Sequence, residues 1–493
     1  MITNDAGIIK LKHQIMEDMC RLAWNDQLDE EHFDELAYKI SPGPRPNYRC
    51  CVYKEREITR QRIRLNMGLK ASPDTDNDNI IQVVKPACEE CSIAAYTVTD
   101  NCRLCMGKAC MNSCKFGAIS MGPHRSYIDP DKCKECGQCA KACPYEAIVH
   151  LVRPCKKACD VNAITFDETG ICKIDDSKCI SCGHCRHACP FGAINSKHYT
   201  VNVIQELKAG KEVYAMVAPA IEGQYGPEIS MGAIRQSFLK LGFADMVEVG
   251  LGGDMTAAYE SAEWAEAAAK GKKMTTSCCP AFVNMLKKHF PEQYEENMSD
   301  VVSPMCAVSR YLKAKHPGCI TVFVGPCIAK KSEALDKSVE GNADYVLAFS
   351  EFERMLSSRD MKIEPIEESE ENRYQEASVF GKEFASSGGV ADSVIECMIE
   401  RGDDISGIRL RKCSGASECK TALLMLKAGK LPEDFIEGMA CVGGCVGGPS
   451  TRLDKMETTR YRKTMFQNAD DRGVLENLKD YPMESFSMFR DNH

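Results

Sequence analysis

The chain has 493 residues, a net charge of −9 and 30 cysteines. The acidic balance argues against nucleic acid, whose phosphates need a concentrated basic surface. No apolar run approaches the length that spans a bilayer, so no membrane partner is expected either. The N-terminal residues show no charged segment followed by an apolar run, which makes the expected compartment cytoplasmic. In a reducing compartment, dense cysteine in a long chain reads as metal binding rather than as a disulfide scaffold. Scattered buried thiols do not account for it, because seventeen cysteines fall between Cys88 and Cys189.

Residues 1–80 read as a polar helical leader. Glu30 to Leu36 has helical composition, and Ser41-Pro-Gly-Pro44 breaks it. No chemistry is expected there, and Cys20, Cys50 and Cys51 stand outside any ligand spacing.

Residues 81–200 carry an internal repeat. Four times a cysteine precedes a short Ala-Ile phrase: Cys114-Lys-Phe-Gly-Ala-Ile, Cys143-Pro-Tyr-Glu-Ala-Ile, Cys159-Asp-Val-Asn-Ala-Ile and Cys189-Pro-Phe-Gly-Ala-Ile. Bacterial ferredoxins use the run C-x2-C-x2-C-x3-C-P, in which three cysteines hold one 4Fe–4S cubane and the fourth holds its neighbour. Cys133, Cys136, Cys139 and Cys143 match this run fully, as do Cys179, Cys182, Cys185 and Cys189. A zinc site is the bland alternative, and paired runs of this form rarely serve zinc. Cys102, Cys105, Cys110 and Cys114 form the run with two extra residues before the third cysteine.

Crossed pairing then places one cluster on Cys102, Cys105, Cys110 and Cys143, and a second on Cys133, Cys136, Cys139 and Cys114. The last run lacks a complete partner. Cys155 and Cys159 supply its third and fourth positions, and Cys88 with Cys91 is a free upstream pair. A split unit follows by arithmetic, with one cluster on Cys88, Cys91, Cys155 and Cys189 and another on Cys179, Cys182, Cys185 and Cys159. Up to four accessory 4Fe–4S clusters would form an electron wire, and Cys172 is left spare. His184 and His187 read as surface side chains.

Residues 205–450 read as α/β. Val213–Val217 and Ile320–Val324 suit buried strands, and Met255 to Lys270 and Ala281 to His289 suit helices. Alternation of this kind favours a parallel sheet with ligands at the strand ends. Three motifs stand out: Thr276-Ser-Cys278-Cys279-Pro, Gly325-Pro-Cys327-Ile-Ala-Lys330, and Met439-Ala-Cys441-Val-Gly-Gly-Cys445. They offer five thiols from three loops, enough for a cubane with one thiol left over. The flanking glycines are expected to let backbone approach an inorganic ligand. One more ordinary 4Fe–4S site is the bland reading. Residues 451–493 read as a charged tail.

These three motifs, in this order, resemble the H-cluster signatures of iron-only (FeFe) hydrogenases, over roughly residues 210–450. The resemblance implies a multidomain chain: α+β ferredoxin-like iron–sulfur repeats followed by an α/β iron-hydrogenase catalytic domain. It implies that Cys279, Cys327, Cys441 and Cys445 ligate the H-cluster cubane. Cys445 would also bridge to a diiron subsite bearing CO, cyanide and an azadithiolate. Cys278 would pass protons to and from the bridgehead amine. Lys330 would lie near a cyanide, Ala218 and Pro219 would line the diiron pocket, and Met439 would pack on the cluster. Glu260 and Glu263 match the family's proton-relay carboxylates; taken alone they would be a solvated helix face. Ser299 matches the relay serine with a one-residue insertion.

The activity implied is reversible H2 oxidation and proton reduction, with ferredoxin or flavodoxin as carrier and maturation proteins supplying the diiron unit. The alternatives are a low-turnover H2 sensor and a hydrogenase-like iron–sulfur protein without the diiron subsite. Gly325 replaces the methionine of the better-studied members, Ala281-Phe282 replaces their Gly-Trp, and Pro449-Ser450 follows the last motif. This pattern resembles a less-studied branch.

Overall fold

The computed structural model describes residues 6–75, 77–88, 91, 95–367, 374–466 and 472–490. Three helices lead the chain: α1 (Ala6–Trp24), α2 (Glu30–Ile40) and α3 (Val52–Asn66). Asp29 caps α2, its carboxylate accepting from the His32 amide at 3.0 Å. The leader is polar in composition but does not stand apart. Ile15, Met19, Cys20, Leu36 and Ile63 are buried in the same apolar cluster as Val213, Ala215, Val217 and Phe352.

The cysteine-rich part is built of four two-stranded antiparallel ribbons. β1 (Ile81–Val83) pairs β8 (Ile194–Ser196), and β2 (Tyr96–Val98) pairs β5 (Ile148–His150). β3 (Ile119–Met121) pairs β4 (Ser126–Ile128), and β6 (Ile164–Phe166) pairs β7 (Cys172–Ile174). The repeated phrase has a physical cause. Gly117, Glu146, Asn162 and Gly192, each three residues after a cysteine, all have positive φ. That left-handed residue turns the chain back. The next amide then donates to the cysteine sulfur: Ala118 to Cys114 Sγ at 3.4 Å, Ala147 to Cys143 at 3.4 Å, and Ala163 to Cys159 at 3.2 Å. Donors of this kind stabilise a thiolate.

The remainder holds two parallel sheets. The first runs β10-β9-β12-β13, where β9 is Val213–Val217, β10 Asp245–Glu248, β12 Ile320–Val324 and β13 Tyr345–Leu347. The second runs β11-β15-β14, from Met274–Thr275, Phe435–Met439 and Leu410–Ser414. Helix α4 (Val249–Ala269) follows β10 directly. A Cβ at its Gly252 would lie 2.3 Å from the Pro304 carbonyl oxygen, so glycine lets α5 (Pro304–Lys315) pack against it. On α4, Thr256, Glu260 and Trp264 repeat every fourth residue and are fully buried, so a carboxylate rides on an inward helix face.

The tail is structural. Val474, Leu478 and Met488 enter the core beside α4, and Asn477 donates to Asp254 at 2.8 Å. Among the described residues no helix is long and apolar enough to cross a membrane.

Candidate active site

All three cysteine motifs leave the C-terminal ends of parallel strands, where open α/β sheets place ligands. Cys278 and Cys279 follow β11, Cys327 follows β12, and Cys441 and Cys445 follow β15. Their side chains line one cavity with Ala218, Pro219, Lys330 and Met439. Apart from Cys182, its other walls are proline, alanine, glycine, valine, methionine and phenylalanine.

Burial raises every one of these thiols. Cys445 is pushed up to about 11, Cys279 and Cys327 also rise, and Cys441 rises well above an ordinary thiol. For Cys327, Cys441 and Cys445, neighbouring cysteines add to the effect. Four thiols crowded together out of water can ionise together only against a cationic centre. This donor set therefore fits an iron–sulfur core.

Lys330 donates to Ser303 Oγ at 2.8 Å and pairs with Glu333 at 2.7 Å. Burial works against its charge, but Glu333, Cys327 and Cys278 outweigh it, and its pKa is raised. The cavity wall thus carries an ammonium steadied by Glu333.

Gly444 and Gly448 of the last motif line this cavity, and its glycines also make tight contacts elsewhere. A Cβ at Gly444 would meet the Ser387 amide at 2.6 Å and the Ala385 carbonyl at 2.7 Å. Gly443 and Gly444 both have positive φ. Gly444 fits the loop against residues 385–387, and Gly443 leaves room for the Lys455 side chain. Gly438 likewise makes room for the Phe282 ring, which its Cβ would meet at 2.3 Å. Gly438→Ala is expected to destabilise the domain by about 1–3 kcal/mol through overpacking. A lower thermal midpoint, with less iron bound, checks this.

A line of polar groups leads away from Cys278, whose thiol is 7% exposed and lies in the field of Glu260. Glu260 accepts from the Ser277 amide at 3.0 Å and from the Ser277 hydroxyl at 3.3 Å. Its second oxygen has no hydrogen-bond partner among the described residues. Ser299 lies close enough to Glu260 to help hold its pKa down, and donates to Glu263 Oε2 at 2.7 Å. Glu263 also accepts from the Asp300 amide at 2.9 Å and is only half-buried. Burial, first of all, pushes Glu260 up to about 7 and raises Glu263 as well. Glu260 can hold a proton near neutral pH, as a relay requires, and burial shifts Glu263 in the same direction.

Residues 211–449 match the family described as iron only hydrogenase large subunit, C-terminal domain. They form an iron-only hydrogenase domain. Ahead of it, residues 126–149 match the 4Fe-4S binding domain and residues 153–193 the 4Fe-4S dicluster domain. The chain is 28% identical to iron hydrogenase 1 of Clostridium pasteurianum over 398 residues, which covers 70% of this chain and 69% of that one. It is 27% identical to the probable cytosolic Fe-S cluster assembly factor oxy-4 of Caenorhabditis elegans, over 38% of this chain and 50% of the relative. Among solved structures, [FeFe]-hydrogenase HydA1 from Chlamydomonas reinhardtii aligns with a TM-score of 0.46 at 20% identity, over 57% of this chain and 92% of that one.

In front of the hydrogenase domain the cysteines gather in crossed sets. One small cavity is lined by Cys102, Cys105, Cys110 and Cys143, and another by Cys114, Cys133, Cys136 and Cys139. Further on, Cys88 and Cys91 each feel the charge of Cys155 and Cys189, and Cys185 feels Cys182, Cys179 and Cys159. Among the described residues no three Cys, His, Asp or Glu side chains close on a single metal ion. The thiols instead surround cavities, as clusters of several irons require. Cys182 lines the catalytic cavity as well, so the relay abuts the hydrogenase domain.

Sequence reasoning passed over several residues. Cys172, left spare by counting, has its amide on Cys88 Sγ at 3.3 Å, and its thiol hydrogen-bonds Cys155 and lowers that pKa. Ser277, Ser303 and Glu333 support Glu260 and Lys330. Ser303 is legible as a helix cap before Pro304. Nothing local marks the other two. Cys413 and Cys419 are buried and hydrogen-bonded to each other beside Cys279.

Proposed function

We propose that this chain catalyses the reversible interconversion of H2 with protons and electrons. The single observation that carries the reading is Cys278. Its buried thiol sits between the apolar cavity and a line of carboxyls that reaches half-exposed Glu263. A protein that only stored or carried a cubane would have no use for a proton line ending at that cavity.

Cys279, Cys327, Cys441 and Cys445 would hold the cubane of the H-cluster. Ala218, Pro219 and Met439 would wall the diiron unit with its CO, cyanide and azadithiolate ligands. When bound, the group supplies the site at which the H–H bond is made or broken; the protein supplies position, charge and access. Lys330 presents an ammonium, held by Glu333 and Ser303, to an anionic ligand in the cavity. Cys278 takes or gives a proton at Sγ, and Glu260, Ser299 and Glu263 move it outward. Ser299 donates its one proton to Glu263, so its oxygen is free to accept from Glu260 when that carboxyl is protonated. The apolar walls exclude bulk water, which keeps proton traffic on this line.

The relay cysteines would carry up to four 4Fe–4S clusters and pass electrons to a ferredoxin or flavodoxin in the cytoplasm. Maturation proteins would deliver the diiron unit.

Infrared spectra of anaerobically matured protein test the proposal. Bands of metal-bound CO and cyanide are expected in the wild type and absent in Cys445→Ala. H2 evolution from a reduced viologen should accompany them, which separates a catalyst from a low-turnover sensor. Protein that keeps its iron–sulfur clusters but shows no such bands after maturation defeats the reading.

A further inference from the structure

A basic cavity stands apart from the catalytic one. It lies where α1, α3, the last ferredoxin-like run and the loop after Cys445 meet, and it encloses about 350 Å³. Small-molecule sites run from roughly 300 to 1,000 Å³. Its walls include Lys12, His13, Arg62, Arg186, His198 and Arg452, against the single carboxylate of Glu353. That carboxylate is already engaged, pairing with Arg452 at 2.6 Å and Arg354 at 3.5 Å.

Three of the cations form no ion pair among the described residues: Lys12, Arg62 and Arg186, the last lying in the field of Glu351, which is itself bound to Lys331 and His198. Arg62 is 5% exposed, donates to the Gly192 carbonyl at 3.4 Å, and has an Nε without a hydrogen-bond partner among the described residues. Arg186 reaches Ser450 Oγ at 3.2 Å, and its Nε is also unpartnered. Lys12 comes from α1, and its Nζ lies 3.2 Å from where a Cβ on Gly192 would stand. A buried guanidinium without a carboxylate is strongly unfavourable unless something anionic completes it.

The neighbouring charges sharpen the point. After burial itself, the strongest charges felt by Lys12 are Arg186 and Arg62, which lower its pKa well below that of an ordinary lysine. Cys189 opposes them only in part. Burial and the surrounding cations also keep His13 and His198 neutral, each at about 4. A cluster held by Cys189 would carry negative charge along one wall. The cations, however, come from separate segments: α1 supplies Lys12, α3 Arg62, the last ferredoxin-like run Arg186 and the loop after Cys445 Arg452.

We propose that this cavity binds a small phosphorylated anion, its phosphate groups held by Lys12, Arg62 and Arg186. Guanidinium forks match phosphate oxygens in pairs, and a lysine adds a point charge. The space exceeds that of a single halide ion and suits a diphosphate group. Because the leader helix supplies Lys12 while the ferredoxin-like run supplies Arg186, occupancy would tie the leader to the relay. The inference stands whether or not the chain turns over H2.

Inorganic pyrophosphate is the probe, titrated calorimetrically into the full-length, cluster-loaded protein with phosphate and citrate alongside. Saturable binding of one pyrophosphate per chain is expected, tighter than phosphate or citrate. Lys12→Met, which keeps the apolar stem, should weaken it at least tenfold with iron content unchanged. A second reading needs no variant: pyrophosphate should protect Lys12 from an amine-acylating reagent, scored by mass spectrometry. Absence of saturable binding would mean that the cluster alone balances these cations, and would overturn the proposal. Binding that Lys12→Met leaves untouched, or labelling indifferent to pyrophosphate, would overturn it as well.

Discussion

Cys278→Ala is expected to lower H2 evolution by about 10²–10⁴-fold, the usual loss when a positioned proton carrier is removed. Iron content and the infrared bands of the diiron unit should stay as in the wild type. The expectation rests on position. Cys278 is next to a proposed cubane ligand but points into the same apolar cavity as Ala218 and Met439, where water cannot stand in for it. Burial first, and then Glu260, raise its pKa well above an ordinary thiol, so the resting group is the protonated one. A thiol that stays protonated can donate to a developing base and be refilled from Glu260. Cys278→Ser should recover little, because a hydroxyl is a far weaker acid than a thiol and gives up its proton much less readily. Viologen-coupled H2 evolution, measured on samples with matched infrared intensity, decides the matter. Activity in the alanine variant within threefold of wild type would remove Cys278 from the proton line.

How much of this was open to sequence reading depends on how far the deciding contacts lie apart. The ferredoxin-like repeat is legible because its cause is local: a cysteine, a left-handed residue three positions on, and an amide returning to sulfur. The parallel-sheet character is legible from the apolar runs at Val213–Val217 and Ile320–Val324, and the motif loops sit at strand ends as that fold requires. The placement of the leader is not legible. Its composition is polar, and the few apolar residues of α1 find partners some two hundred positions away on β9. The tail is hidden for the same reason, since Asn477 meets Asp254 across 223 residues of chain. The glycines at Gly443 and Gly444 point to tight backbone, but only the folded loop shows that the neighbours are Lys455 for the first and residues 385–387 for the second. Glu260 and Glu263 stand out only through resemblance, because two carboxylates three apart on a helix are usually solvated. Burial of Glu260 follows from α4 being covered on that face by the segment from Ser299 to Pro304. The cation-lined cavity draws on four segments and leaves no local spacing at all.

Glu260→Gln should be as damaging as loss of Cys278, and it carries a second signature that a bystander would not show. A glutamine keeps the shape and can still accept from the Ser277 amide, but it cannot take up and release a proton. H2 evolution should fall by about 10²–10⁴-fold. The wild-type rate should respond to pH near 7, where this carboxyl changes state, and the residual rate of the variant should not. Stability gives the independent signature. Burial raises the folded pKa of Glu260 from 4.5 to about 7, so the folded state holds this proton more tightly than the unfolded state. The sign follows: the contribution is fully present below pH 4.5 and is lost as pH rises through about 7. The loss is on the order of 3 kcal/mol, since each tenfold difference in proton affinity between the two states is worth about 1.4 kcal/mol. Asp254 and Glu376, also pushed to about 7 by burial, act in the same direction. Removing Glu260 should therefore shrink the fall in thermal midpoint between pH 5 and pH 8 without abolishing it. At pH 8 the variant should be more stable than the wild type, and at pH 5 it should not. Equal pH slopes in the two proteins would show that Glu260 does not keep its proton in the folded state, and the line from Cys278 to Glu263 would lose its middle link.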